Sequence, residues 1–424
     1  MIRIHLPHNY LGLVAGCLCL GSLAVSCVSD DLGCIEDRPG YVEGNDIWLT
    51  FTLKGVPGVG RSASGISRAD DSANHPEEEA TAAENMINTD DMRLILFDNR
   101  QNVIKVLERK DLISFETTTD DKNNSRYEIK ARINKAYFDF ATTSTGDIKI
   151  SLMLLANLSS GVTSSSNDLT DALFMKSAQW IAQQKYSFAP VWSADKEWYP
   201  DGSTNYIPMS GWAHYTIKST DLDEATTIEN AHNLTGEDSP LLMQRAMAKI
   251  RVFDNINKEN ADAATTITAV RIEGGNTYGA FIPDFSQSGC AEWAKGTTMV
   301  ETPTIVADWF DSSLEVNARK VGSDEGGDYT DADGNTFTEA FVAYMTEASR
   351  NQNVKFIITS YSDNDNPKTK EWELFLSNIM TPVTDITRNH IYEFTVTRSM
   401  KAELNVNYTV CPWVSNTINV PTFD

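Results

Sequence analysis

The chain has 424 residues, with 35 Lys and Arg against 59 Asp and Glu, and a formal net charge of −24. So acidic a body repels phosphate backbones and anionic lipid, which argues against nucleic acid as a partner. The six cysteines include no Cys-x-x-Cys pair, so neither a disulfide framework nor a zinc site is indicated.

Residues 1–26 read as a secretory signal peptide. Arg3 precedes an apolar run from Leu11 to Val25, and about 15 residues is too short for a helix that crosses a bilayer. Ala24-Val25-Ser26 stand ahead of Cys27, and Asp30 and Asp31 follow it. This resembles a bacterial lipobox, in which the Cys is acylated and becomes the mature N-terminus. Acyl chains on Cys27 would hold the protein to a membrane at ~0.8 kcal/mol per buried CH₂. Val14-Ala15-Gly16-Cys17 offers a second cut, but it leaves a very short apolar region. The polar Ser-Asp-Asp after Cys27 resembles the signal that sends some Gram-negative lipoproteins to the outer face of the outer membrane. The plain alternative is a secreted protein with an incidental Cys. Cys34, Cys290 and Cys411 allow at most one bridge, and spacing does not choose it.

Removing 26 residues from 424 leaves 398, enough for two or three domains. Ile47, Leu49, Phe51 and Leu53 alternate with Trp48, Thr50 and Thr52, which predicts a strand with one buried face. A long stretch rich in Gly, Ser, Ala and acid follows, so 55–90 is expected as a loop that is functional or disordered. Met92–Phe97 and Val103–Leu107 read as strands around a turn at Asp98–Asn102. Tyr127, Ile129, Ala131 and Ile133 alternate again, and Ile148–Leu155 reads as a buried central strand. Asn167–Gln184 is predicted as a helix, with apolar Leu169, Leu173, Trp180 and Ile181.

A boundary is expected near Gly236–Pro240, which divides the chain into 27–238 and 239–424. Beyond it, strands are predicted within Leu241–Phe253 and at Ile267–Glu273, Phe341–Thr346, Val354–Ser360, Trp372–Leu376 and His390–Val396. Turn signals at Asp333-Gly334 and Asp365-Asn366-Pro367 separate some of them. Short strands at this spacing predict two all-β domains in series, each an antiparallel β-sandwich.

The C-terminal end alternates once more. Leu404, Val406, Tyr408 and Val410 interleave with Glu403, Asn405, Asn407 and Thr409. After Cys411-Pro412, the apolar Ile418, Val420 and Phe423 form a last extended piece. Such an end must bury its apolar face. It is either the last strand of its own domain or a strand, within 402–424, given to a neighbouring molecule.

Catalytic and metal-binding patterns are scarce. No HExxH, Walker A, GxGxxG or GxSxG motif occurs. His214 reads as a strand residue and His390 as the start of a strand, both structural. Asp328–Glu339 fails the EF-hand register, because Tyr329 and Ala340 would fall at positions one and twelve. A hairpin at Asp333-Gly334 fits better, while Asp331 and Asp333 leave open a looser calcium site. Trp192, Trp198, Tyr199, Tyr206 and Trp212 could stack on sugars, although such rings more often pack a core. Neither an enzyme activity, nor a metal, nor a cofactor is expected.

Several short motifs recur in a telling order. A lipobox precedes Asp-Asp-Leu and a Cys; the strand Ile47–Leu53 precedes a loop carrying Gly60-Arg61 and Ser67-Arg68-Ala69. Then come Met92–Asp98, Gln244-Arg-Ala-Met-Ala-Lys-Ile250, Arg388-Asn-His-Ile-Tyr392 and Tyr408-Thr-Val-Cys-Pro-Trp413. The set resembles the fimbrillin family, the FimA- and Mfa-type subunits of lipoprotein-derived type V pili. The resemblance implies two tandem transthyretin-like β-sandwiches and export as a lipoprotein. It also implies removal of the strand Ile47–Leu53 by an Arg-specific maturation protease, cutting after Arg68 or Arg61. The vacated groove then accepts a strand from another subunit, for which 404–424 is the donor, with Leu404, Val406, Tyr408, Val410, Ile418, Val420 and Phe423 as its apolar residues. Anchors of the family keep their lipid uncut, so the Arg-bearing loop leans to a stalk or tip subunit. The partners implied are other fimbrial subunits, the protease, the outer membrane through lipid on Cys27, and a host or bacterial surface receptor. The competing function is a monomeric outer-membrane lipoprotein that binds glycans.

Overall fold

The computed structural model describes residues 44–55, 84, 87–119, 125–157, 185–187, 207–235, 241–256, 265–282, 306–322, 329–330, 336–362, 368–380, 385–398 and 404–412. Among them the period-2 segments are strands and the protein is all-β. The first part of the chain forms β1 (Asp46–Gly55), β2 (Arg93–Phe97), β3 (Val103–Leu107), β4 (Leu112–Thr119) and β5 (Ser125–Asn134). It continues with β6 (Asp147–Ala156), β7 (Lys185–Ser187), β8 (Met209–Lys218), β9 (His232–Asn233) and β10 (Leu241–Arg245). The second part forms β11 (Ala248–Asp254), β12 (Thr265–Asn276), β13 (Tyr278–Ala280), β14 (Phe310–Asn317), β15 (Arg319–Gly322) and β16 (Tyr329–Thr330). After these come β17 (Thr336–Phe337), β18 (Glu339–Met345), β19 (Lys355–Ser362), β20 (Lys368–Phe375), β21 (His390–Arg398) and β22 (Leu404–Pro412). Among the described residues helix is confined to short turns such as Ser219–Asp223 and Leu376–Ile379, and no described helix is long and apolar enough to cross a membrane.

The first sheet has nine strands in the order β3-β2-β6-β8-β10-β1-β5-β4, with β9 also pairing β1. β6 lies between β2 and β8 and is buried on both faces over most of its length. Strand β10 joins the two halves of this sheet. Its residues 243–245 pair antiparallel with β8, and its residues 241–243 pair parallel with β1. That close crossing explains Gly211, where a Cβ would lie 2.4 Å from the Leu242 carbonyl oxygen.

The second part folds as two facing sheets, β15-β18-β11-β21-β22 and β14-β12-β19-β20. Phe356 of β19 meets Phe394 of β21 edge to face at 4.7 Å across the sandwich. Most pairs are antiparallel, yet β1 runs parallel to β9 and β10, and β11 runs parallel to β21. The outer strand β20 carries Lys368, Lys370, Glu371 and Glu373, charges that discourage a further strand from adding there.

Strand β10 completes the first sheet, and the chain passes from it to β11 through Ala246–Met247. The 238/239 division expected from turn signals lies outside the described residues. The junction is polar and buried. Ser210 Oγ donates to the Phe281 carbonyl at 2.6 Å, and the Tyr186 hydroxyl donates to the Ala246 carbonyl at 2.7 Å. Tyr186 comes from β7, which pairs with β13 of the second part and so ties the two together.

Candidate strand-exchange site

Strand β1 is the element on which an exchange of strands would act. Ile47, Leu49, Phe51 and Leu53 are each at most 2% exposed, and burial of four such side chains contributes roughly 6–12 kcal/mol. One edge of β1 is paired with β5 in unbroken antiparallel register, from Asp46 opposite Asn134 to Leu53 opposite Tyr127. The other edge has a segmented partner. The Trp48 N–H donates to the Ala225 carbonyl at 2.8 Å, and the Thr50 carbonyl accepts from the Leu234 N–H at 2.9 Å. The Thr52 N–H donates to Thr235 Oγ1 at 2.7 Å, and β10 pairs with 53–55. Removing β1 would open an apolar groove with two unpaired backbone rims.

Residues 232–235 escaped sequence reasoning. His232-Asn233 is too short and too polar for a periodic pattern, and the Thr235 clamp is a side chain substituting for a ladder bond. Burial holds the His232 imidazole pKa below its ordinary value, with the Asp221 carboxylate partly opposing that shift.

The C-terminal candidate divides. Leu404, Val406, Tyr408 and Val410 lie on β22, which pairs with β21 over nine residues from Arg398 opposite Leu404 to His390 opposite Pro412. β22 ends the order of its sheet. Val406 is half-buried against the core. Ile418, Val420 and Phe423 lie outside the described residues, as do Cys27, Arg61 and Arg68. The helix expected at Asn167–Gln184 also lies outside them.

Two of the motifs quoted from the sequence converge at the junction. Arg245 and Lys249 come from the first, and Arg388, Asn389 and His390 from the second. Arg245 Nη1 donates to Asn389 Oδ1 at 3.1 Å, and the Asn389 N–H donates to the Met247 carbonyl at 2.7 Å. Asn389 adopts a left-handed backbone with φ of 57°, a conformation that Asn tolerates better than most residues. Arg388 Nη2 lies 2.7 Å from Glu347 Oε2, and Arg251 Nη1 lies 3.1 Å from Glu393 Oε1, both pairs buried. These side chains build the fold, and His390 hydrogen-bonds Thr387 and the Arg388 carbonyl in the same structural role.

The other candidates fare as follows. His214 is on β8, with Nδ1 2.6 Å from Ser151 Oγ; Ser151 is buried, which leaves its hydroxyl no access to a substrate. Trp212 stacks edge-on with His214 at 4.9 Å. Trp192, Trp198, Tyr199, Tyr206, Asp331 and Asp333 lie outside the described residues, although β16 and β17 pair antiparallel on either side of Asp333-Gly334. Among the described residues no group of three or more His, Cys, Asp or Glu could hold a metal ion.

No protein-family model and no curated protein sequence matches the chain. Among solved structures it is similar to the tip fimbrial protein Mfa3 from Porphyromonas gingivalis with a C-terminal truncation. The identity is 12%, the match covers 87% of this chain and 100% of that one, and the TM-score is 0.46. It is also similar to a fimbrial assembly protein from Parabacteroides distasonis, at 12% identity, covering 86% and 95% of the two chains with a TM-score of 0.40.

Proposed function

We propose that the protein is a structural and adhesive subunit of a cell-surface fimbria, exported as a lipoprotein through Cys27 and assembled by donor-strand exchange. The observation that carries this reading is the placement of β1. It is an interior strand of the first sheet, yet the chain leaves it at Gly55 into a connection that bears Arg61 and Arg68. A cut after either Arg separates β1 from the rest of the fold and leaves only noncovalent contacts to hold it. The groove left behind offers backbone hydrogen-bonding groups on both rims and sites for four apolar side chains. Leu404, Val406, Tyr408 and Val410 repeat the spacing of Ile47, Leu49, Phe51 and Leu53. A second subunit's C-terminal strand therefore satisfies the same groove. The presence of Arg61 and Arg68 favours a stalk or tip position over an anchor.

N-terminal sequencing of protein sheared from cells tests the reading. A start at Ala69 or Ser62, in detergent-resistant polymers, is expected, and replacement of both Arg61 and Arg68 by Ala should abolish both. An acylated Cys27 on a full-length monomer that binds glycan would replace the proposal with the competing one.

A further inference from the structure

Glu84 lies near the end of the connection between β1 and β2, in a stretch that composition marks as an acidic linker. It is nevertheless 1% exposed. Its Oε1 lies 2.6 Å from Lys249 Nζ on β11 and also accepts the hydroxyl of Tyr344 on β18. Its backbone carbonyl accepts Arg245 Nε at 3.1 Å, from the end of β10. One residue is thus bound to three strands, one from the first sheet and two from the second. Ile87 and Met92 just beyond it are fully buried, and the Asn88 N–H donates to Asn157 Oδ1 at 2.8 Å.

The surrounding charge explains why an acid belongs there. Arg245 and Arg251 both lie near Lys249 inside the protein and oppose its charge. Burial draws the Lys249 ammonium down to about 8, while the Glu84 carboxylate acts against that shift. Burial and the same carboxylate raise the Tyr344 phenol well above its usual value, which keeps it a hydrogen-bond donor. Breaking such a pair leaves a buried charge exposed to its like-charged neighbours and costs far more than a surface pair does.

We infer that Glu84 is a positioning residue that anchors the segment downstream of the maturation cut. The inference rests on the strand-exchange reading. A cut between Gly55 and Glu84 frees β1 and everything before it, whereas the new N-terminal segment stays fastened at the junction through Lys249, Tyr344 and Arg245. Release is then one-sided. The departing strand takes no part of the second sheet with it, and the two parts keep their geometry while the groove stands open.

The test places a site-specific protease sequence between Gly55 and Glu84 of the full chain, so that cutting is assured, and follows hydrogen exchange over residues 84–92. In the cut parent protein these amides stay protected, and in the cut Glu84→Gln variant they exchange roughly a hundredfold faster. Tyr344→Phe, which removes one hydrogen bond and no charge, should show a smaller acceleration if Glu84→Gln fails to fold. Equal exchange in the parent and both variants overturns the inference. So does exchange at the unfolded-chain rate in the cut parent. Retention of β1 despite excess peptide 404–424 defeats the strand-exchange reading, and the protection of 84–92 reads out independently of it.

Discussion

The backbone N–H of Thr52 donates to the side-chain oxygen of Thr235 at 2.7 Å, across 183 residues of chain. This bond falls where β9 has ended and β10 has not begun, so a hydroxyl stands in for a ladder acceptor. Thr235→Val keeps the shape and removes the acceptor, leaving a buried N–H unsatisfied at a cost of about 1–3 kcal/mol. Urea unfolding should show a loss of that order with an unchanged slope. Once the connection after β1 is cut, β1 should also leave about 5- to 150-fold more readily. An unchanged departure rate would show that Thr235 does not clamp the strand.

Phe51 is fully buried on the inner face of β1. Phe51→Ala removes its contacts and leaves a cavity, which costs about 3–5 kcal/mol. The same change on a cut subunit weakens the retained strand, so the substituted β1 should be displaced by a 404–424 peptide at lower concentration than the parent strand. Trp48, on the opposite face and only half-buried, should matter less. If Trp48→Ala speeds displacement as much as Phe51→Ala, the inner face is not what holds β1.

His232 faces Leu49 of β1 in the parallel register of β9. Burial lowers its folded pKa, with Asp221 acting the other way. The unfolded chain takes up the proton near pH 6.5, before the folded protein does. Stability from this group is therefore complete above about pH 6.5, falls as pH drops from there towards the folded pKa, and is fully lost below it. The parent should lose stability on acidification relative to His232→Gln, with the gap opening only below about pH 6.5. Parallel pH profiles for the two proteins would dissociate β9 from any acid sensitivity of β1.

How much of this could be read from sequence depended on whether a partner lay nearby. Ile47, Leu49, Phe51 and Leu53 declare β1 by their spacing alone, and Ile148 and Ile150 followed by the apolar run Leu152–Leu155 declare a strand buried over most of its length. β14 was illegible because Phe310–Asn317 has a single fully buried residue, Val316, and is rich in Asp, Ser and Glu, so it lacks a repeating apolar face. Strand β9 was illegible because two polar residues have no period. Glu84 was misleading. It sits among acids that composition assigns to solvent, and its burial depends on Arg245, Lys249 and Tyr344, which follow it by more than 150 residues of chain. The turn signals at 236–240 lie outside the described residues, and the pairing of Leu241–Arg245 within the first sheet depends on partners far away in the chain.

Pairing of Leu404–Pro412 with β21 makes the proposed donor segment a strand of its own sheet. Donation to another subunit must therefore break that pairing or extend from residues beyond Pro412. In either case the segment ends the five-stranded order, so its removal exposes the edge of β21 and takes away the contact of Val406 with the core. A chain lacking 404–424 should remain folded through its other strands, with a stability loss of at least about 1 kcal/mol, the share of the half-buried Val406 alone. It should still accept a donor strand through its own groove and yet form no polymer longer than a capped end. Sedimentation of the truncated subunit after the cut, alone and mixed with parent, checks both parts. Normal filaments from the truncated chain alone would remove 404–424 from the donor role, and a truncated chain that lost its cooperative unfolding would show that β22 belongs to the fold first.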